Sequence, residues 1–231
     1  MDAAPYASPM PLLTARGVRK SVGEGRASRL LLDGADLDLE PGEIVAILGR
    51  SGSGKSTFLN LVGGIDSIDD GSIEVDGRRI DQLDGSGLTR YRREQVGFVF
   101  QLFHLIPELT ALQNVTLPAR MAGTVPDGAA RAAGLLERFG VAEVADQLPH
   151  TLSGGEQQRI AIARAMINDP PLILADEPTG NLDPAAAATV LDVLRGIGEE
   201  GRSVLLVTHE RDATAIADRV VKLEDARFVT G

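Results

Sequence analysis

The segment Glu43-Ile-Val-Ala-Ile-Leu48 followed by Gly49-Arg-Ser-Gly-Ser-Gly-Lys55-Ser56 constrains this chain more than any other stretch. Its first half is apolar, β-branched and of strand length. Its second half fits G-x-x-x-x-G-K-[ST], and the sequence from Lys55 onward reads as a helix. A strand that enters a helix through a glycine turn asks for an α/β layer, in which the helix returns the chain to a parallel neighbour. Leu172–Ala175 and Val204–Val207 are such strands, joined by a helical stretch from Pro184 to about Glu199. Glycines also let backbone N–H groups turn inward around phosphate oxygens, at a helix start whose dipole favours anions. On this reading Gly49, Ser51, Gly52, Ser53 and Gly54 cradle phosphate, Lys55 meets the β- and γ-phosphates of a nucleotide, and Ser56 holds Mg²⁺. A glycine turn that merely links two elements is the plain alternative. Lysine is scarce, three residues against 20 arginines, yet one stands at this position.

The run Leu172-Ile-Leu-Ala-Asp176-Glu177 is an apolar strand ending in two acids. In an open parallel sheet, ligands gather beyond the carboxyl ends of the strands. Asp176 is placed there to bind Mg²⁺ through its waters, and Glu177 to polarise an attacking water. Without the phosphate loop, a solvated strand end would explain both acids equally well. Leu152-Ser153-Gly154-Gly155-Glu156 opens another helix and admits two readings. Ser153-x-x-Glu156 is a capping box. Two adjacent glycines in a first turn, however, cost about 1 kcal/mol each relative to Ala within a helix, and their bare N–H groups suit a second phosphate contact. The residues alone leave these readings even.

Composition removes several other classes. A chain of 231 residues that is 43% hydrophobic and 24% charged builds a core without staples and does not read as disordered. Cysteine is absent, which excludes disulfides, thiolate zinc sites, iron–sulfur clusters and cysteine nucleophiles, and fits a reducing compartment. The net charge of −10 argues against general attraction to nucleic acid or anionic lipid. Apolar runs such as Ile44–Leu48 fall far short of the ~20 residues that span a bilayer. The start, Met1-Asp-Ala-Ala-Pro, has no basic segment leading into an apolar one, so no secretory signal is read there. The expectation is a cytoplasmic protein that another chain brings to any membrane it serves. Residues 1–9, with Pro5 and Pro9, read as a flexible tail, and residues 10–231 as one domain. Short β-like runs precede Glu43. Ser72–Val75 reads as a strand between the Asp70-Gly71 and Asp76-Gly77 turns, and Val96–Phe100 as another. From about residue 101 to 169 the segments Glu108–Pro118, Asp127–Phe139 and Gly154–Asn168 read as helices inserted into the core.

Taken together these segments resemble the nucleotide-binding subunit of an ATP-binding cassette (ABC) transporter. The run Leu152-Ser-Gly-Gly-Glu-Gln-Gln-Arg-Ile-Ala-Ile-Ala-Arg-Ala165 resembles the family signature, with Glu156 where many members have Gln. The order also fits: phosphate loop, Gln101 after a strand, signature, Asp176-Glu177, Gly180-Asn-Leu-Asp183, then His209 after a strand. The resemblance covers about residues 10–231. It implies a P-loop NTPase core of ABC ATPase type, with an antiparallel β subdomain and the α-helical subdomain as its insert. It further implies ATP held between two copies arranged head to tail. Lys55, Ser56 and Thr57 of one copy would hold the phosphates, while Ser153, Gly154 and Gly155 of the other, with Glu156 completing that run, would close over the γ-phosphate. Glu177, His209 and Lys55 form the implied catalytic set: Glu177 as general base or water-polarising group, His209 on the γ-phosphate and the attacking water. A lone His at a strand end is otherwise more often structural. Gln101 would sense Mg²⁺ beside Ser56 and Asp176 and link the site to the helical insert, and Asp183 would act across the dimer.

Pro107–Val115, Leu152–Arg159 and Ala175–Asp183 are similar to the lipoprotein-release and macrolide-efflux type. That likeness implies a subunit on the inner face of the cell membrane that powers transport through integral permease subunits, docked near Gln101–Leu117. A cell-division-type cassette, which signals through a membrane partner without transporting, is the alternative. No nucleic-acid partner is expected, because chromosome and DNA-repair members carry coiled-coil or zinc insertions absent here. Three positions depart from the family pattern. Arg19-Lys-Ser-Val-Gly-Glu-Gly25 has no aromatic to stack on adenine, leaving Val22 for apolar packing; Arg50 stands where Pro is common; and Asp225-Ala226-Arg227 lacks the usual turn glycine.

Overall fold

The computed structural model describes residues 10–23, 29–123 and 127–230, so the expected tail at 1–9 and residues 24–28 lie outside the described residues. Two long strands come first, β1 (Leu13–Val22) and β2 (Arg29–Leu39). Then follow β3 (Ile44–Leu48), α1 (Lys55–Val62), β4 (Asp70–Val75), β5 (Arg78–Arg79), α2 (Gly85–Glu94) and β6 (Val96–Phe100). Three helices come between β6 and the next strand: α3 (Ala111–Ala122), α4 (Gly128–Arg138) and α5 (Gly154–Met166). The chain closes with β7 (Leu172–Asp176), α6 (Pro184–Glu199), β8 (Ser203–Thr208), α7 (Arg211–Thr214), β9 (Arg219–Glu224) and β10 (Arg227–Thr230).

The strands form two sheets, an antiparallel one in the order β2-β1-β4-β5 and a second in the order β10-β9-β3-β8-β7-β6. In the second, β9, β3, β8, β7 and β6 are parallel, and β10 turns back antiparallel at the edge. Side chains alternate across a strand, so β3 feeds two cores. Val45 and Ile47 pack with Phe58 and Leu59 of α1 and with Leu13 and Leu39 of the antiparallel sheet. Ile44 and Ala46 face the opposite side, with Val115, Ile160, Ile162 and Val190 of α3, α5 and α6. No helix among the described residues is long and apolar enough to cross a membrane.

Several elements differ from the sequence reading. The short runs expected before Glu43 are continuous strands of 10 and 11 residues. Gly17 and Gly34, at φ 58° and 73°, sit at irregularities that the pairing runs through, with a register shift between Ala15 and Val18. The helix expected over Glu108–Pro118 begins at Ala111, because Asn114 reserves the preceding residues for a loop. Its Oδ1 accepts from Ile106 N at 2.7 Å, and its Nδ2 donates to the carbonyls of Ile106 and Leu109 at 3.1 and 3.0 Å. The same helix passes through Pro118 to Ala122, since its buried positions Ala111, Val115 and Ala119 continue the spacing of four beyond the proline. Finally, the sequence reading does not include α2, and of the β9–β10 hairpin it marks only the turn at Asp225–Arg227.

In that hairpin Glu224 pairs with Arg227, which leaves Asp225 and Ala226 as a two-residue loop at φ 47° and 64°. Left-handed conformations at both positions suit Asn-Gly, and a non-glycine residue there costs about 1–2 kcal/mol. Replacing Asp225-Ala226 with Asn-Gly is expected to stabilise the fold by about 1 kcal/mol in urea unfolding. An unchanged midpoint would show that the hairpin carries no such strain.

Candidate functional site

Between β3 and α1 the chain turns through Gly52 and Gly54, at φ 73° and 107°. Both conformations are natural to glycine. A Cβ on Gly49 would lie 2.7 Å from Ser53 Oγ, and one on Gly54 would lie 2.8 Å from the Leu31 carbonyl oxygen. The turn is therefore packed closely against β2 at Gly54, where a side chain has no room. The start of α1 has no side-chain cap, so its first-turn N–H groups remain available to an anion. Ser53 Oγ is buried without a hydrogen-bond partner among the described residues, a cost of about 1–3 kcal/mol that a phosphate oxygen would relieve. Lys55 is buried, and its Nζ donates to the carbonyls of Gly49 and Arg50 at 2.9 and 3.2 Å. The glycine cradle, the orphan hydroxyl and the folded-back ammonium all fit a polyphosphate.

Ser56 Oγ donates to Asp176 Oδ1 at 2.8 Å, joining the first turn of α1 to the end of β7. Burial pushes the Asp176 carboxyl up; the Ser56 hydrogen bond opposes this, and the adjacent Glu177 charge reinforces it. A hydroxyl and a carboxylate converging in a polar cleft suit a hard divalent cation, with the remaining positions left to water and phosphate. Glu177 is left-handed at φ 47°, and its N–H donates to Val207 O at 2.9 Å. That bend brings its Oε2 within 2.9 Å of His209 Nδ1. The hydrogen bond and charge of Glu177 raise the His209 pKa above its ordinary 6.5. Lys55, Ser56, Asp176, Glu177 and His209 thus gather beyond three neighbouring strands.

Gln101 follows β6, and its Nε2 lies 3.5 Å from Asn181 Oδ1, while Asn181 Nδ2 donates to Gln101 O at 3.1 Å. Gly180 admits this contact, since a Cβ there would lie 2.8 Å from Gln101 Nε2. Beyond Gln101 both Phe103 and His104 are left-handed, at φ 58° and 49°. Arg164 of α5 holds their two carbonyls, that of Phe103 at 2.7 Å. Thr179, buried, donates to Glu210 Oε2 at 2.6 Å and ties the segment after β7 to the segment after β8. Asn181, Thr179, Arg164 and Glu210 were not singled out from sequence. Thr179 and Asn181 carried a signal by lying inside the run Ala175–Asp183, and Arg164 by lying inside the run Leu152–Ala165; Glu210 carried none.

At the start of α5 the capping box forms. Glu156 N donates to Ser153 Oγ at 3.3 Å, and Glu156 Oε2 accepts from Ser153 N and Oγ at 2.8 and 2.7 Å. These bonds hold the Glu156 carboxyl below the usual range. Gly155 also has a packing reason, because a Cβ there would lie 2.9 Å from Ala186 Cβ on α6. Asp183 Oδ1 caps α6, accepting from Ala185 N and Ala186 N at 3.0 Å each. No hydrogen bond among the described residues links Ser153–Glu156 to the Gly49–Thr57 turn of the same chain. Beside that turn lies a groove of about 800 Å³, bordered by Arg29, Leu31, Arg50, Lys222 and Asp225, with no aromatic lining among the described residues. Arg29 Nη2 reaches Gly52 O at 3.1 Å across it.

The family profile described as ABC transporter matches residues 32–180. The pyoverdine export ATP-binding/permease protein PvdT of Pseudomonas syringae pv. tomato is 46% identical over 222 residues, which cover 95% of this chain and 34% of that one. The macrolide export ATP-binding/permease protein MacB of Rhodopseudomonas palustris (strain BisB18) is 46% identical over 211 residues, 91% of this chain and 32% of that one. The chain therefore spans about a third of the length of these relatives. Among solved structures, the dimeric bacterial ABC transporter cassette MJ0796 superposes with a TM-score of 0.86 at 39% identity, covering 94% of this chain and 96% of that one. Its post-hydrolysis dimer, bound to ADP and Pi, gives 0.86 at 38% identity, with the same coverage of 94% and 96%.

The Glu177–His209 contact has a definite pH signature. Because the folded His209 pKa is raised, the contact's contribution to stability is complete below the unfolded value and is lost as pH rises through the folded one. Glu177→Gln is expected to move the His209 midpoint back toward 6.5 in an NMR titration of the imidazole. A midpoint that stays put would remove Glu177 as the group that holds the ring.

Proposed function

The chain belongs to the ABC transporter family as an ATPase domain, and we propose that it hydrolyses Mg-ATP in two composite sites of a head-to-tail pair, powering an export-type permease. The observation that carries the chemistry is the convergence of Lys55, Ser56–Asp176 and Glu177–His209 at the ends of adjacent strands. The turn Gly49–Gly54 binds the phosphates through its N–H groups. Lys55 exchanges the carbonyls of Gly49 and Arg50 for β- and γ-phosphate oxygens, and Thr57 steadies the same anion. Ser56, Asp176 and Gln101 would hold Mg²⁺, which supplies positive charge to those oxygens when bound. Glu177 accepts a proton from the attacking water as its oxygen bonds to the γ-phosphorus and the bond to ADP breaks, and His209 orients that water and the γ-phosphate. Catalysis of this kind is positioning plus electrostatics.

The second copy supplies Ser153, Gly154, Gly155 and Glu156 to the γ-phosphate, and Asp183 lies beside that seam. The dimeric form of the MJ0796 cassettes that this chain resembles supports this assembly. The joint ATP-binding/permease naming of PvdT and MacB supports a permease of the lipoprotein-release and macrolide-efflux type. The exposed Leu102 and Ile106, beside Gln101, suit a docking surface near residues 101–117. We place the domain over residues 10–231, on the cytoplasmic face of the membrane, with residues 101–169 as its helical part; the position of α3, α4 and α5 between β6 and β7 supports that division.

Glu177→Gln is expected to slow phosphate release by at least ~10²-fold while calorimetry shows ATP binding intact. Retained turnover would take Glu177 out of its role. Ser153→Arg places the change in both composite sites at once. It is expected to bring hydrolysis close to background while the single chain still binds ATP, and a wild-type rate would leave Ser153 as a helix cap only.

A further inference from the structure

Gln158, one turn into α5, is fully buried and no step above uses it. Its Nε2 donates to two carbonyls from separate segments, Phe100 O at 3.3 Å and Pro178 O at 2.8 Å. Each carbonyl adjoins a residue of the site: Phe100 precedes Gln101, and Pro178 follows Glu177. Its Oε1 has no hydrogen-bond partner among the described residues. A side chain kept for packing alone would be apolar here, because an unmet buried acceptor is destabilising. The amide instead has two N–H donors on one nitrogen, which fix the spacing of two carbonyls at once.

The surrounding backbone needs such a tie. Glu177 is left-handed at φ 47°, and a non-glycine residue in that region persists only where its neighbours over-determine it. On the outside, Asn181 and Gln101 join the same two segments through Asn181 Nδ2 and Gln101 O at 3.1 Å. Gln158 is the inner half of this clamp, and it joins both segments to the helix that Ser153 begins.

We propose that Gln158 is a positioning residue that holds the Phe100 and Pro178 carbonyls at a fixed separation, so that Gln101 and Glu177 address one nucleotide in register with the Ser153 end of α5. The inference rests on the ATPase reading above.

Two substitutions in the full chain test it. Gln158→Met keeps length and volume but has no donor. Gln158→Glu keeps the shape, and its buried neutral carboxyl retains one O–H donor. Phosphate release gives kcat and KM, calorimetry gives the Kd for Mg-ATP, and thermal unfolding reports stability. For Gln158→Met, kcat is expected to fall about 10-fold or more with Kd within about threefold of wild type, because misplacement impairs the chemical step more than ground-state binding. Gln158→Glu is expected to recover part of that kcat. Wild-type kcat in Gln158→Met, a loss of Kd and Tm in parallel with kcat, or no recovery in Gln158→Glu each overturns the proposal. If only Gln158→Glu folds, reduced kcat at unchanged Kd supports it and wild-type kcat overturns it. A wild-type chain that turns over no Mg-ATP overturns the ATPase reading, and this inference with it.

Discussion

The register of β3, β8 and β7 is the constraint on which the rest of the structure depends. Leu48 pairs with Thr208, and Val207 pairs with Asp176, so three adjacent parallel strands end level. The residues that follow them therefore emerge along one edge: the glycine turn from β3, Glu177 from β7 and His209 from β8. Because side-chain period in a strand is two, a slip of one residue in either pairing would exchange the faces of β3 or β7 and bury the wrong set. The two cores fix the register from opposite sides, with Val45 and Ile47 facing one and Ile44 and Ala46 the other. Burial that stabilises the sheet thus also aligns the chemistry at its edge.

Irregular segments around that edge borrow their order from a few buried or half-buried polar side chains. Asn114 gathers residues 106–110, Arg164 holds Phe103 and His104, and Thr179 reaches Glu210. Desolvation makes the Arg164 guanidinium less basic than usual, yet its partners are carbonyls and not acids. A neutral partner fixes direction without adding charge to a site that already concentrates Asp176 and Glu177. The same economy appears at Lys55, whose nearest acceptors are also carbonyls.

Much of this was legible in the sequence because the informative elements are buried on two faces. Ile44–Leu48, Val96–Phe100, Leu172–Ala175 and Val204–Val207 are largely continuous apolar runs, and the residues after them carry the motifs. Other parts were hidden for physical reasons. Gly17 and Gly34 resemble turns but lie in irregular pairing. The α2 helix buries only Tyr91, and Leu88 is its one other large apolar side chain, so periodicity barely marks it. Its start rests on Asp84, which accepts from Gly87 N at 2.7 Å, a cap that is weak evidence when the following turn holds two glycines. Asn114 and Gln158 lie in the runs Pro107–Val115 and Leu152–Arg159, yet neither carries a spacing that tells where its carbonyl partners lie. The residues alone left the signature glycines even between a helix cap and an anion contact, and Gly155 has a third reason in its contact with Ala186.

Lys55 lying across the Gly49 and Arg50 carbonyls has a consequence for how a ligand is met. The ammonium ties the two carbonyls at the start of the turn to the helix that the turn opens, so bonds internal to the chain hold its curvature. Ordering of this kind belongs to folding, and an anion that binds a turn already held in shape is spared the entropy of closing a loose loop.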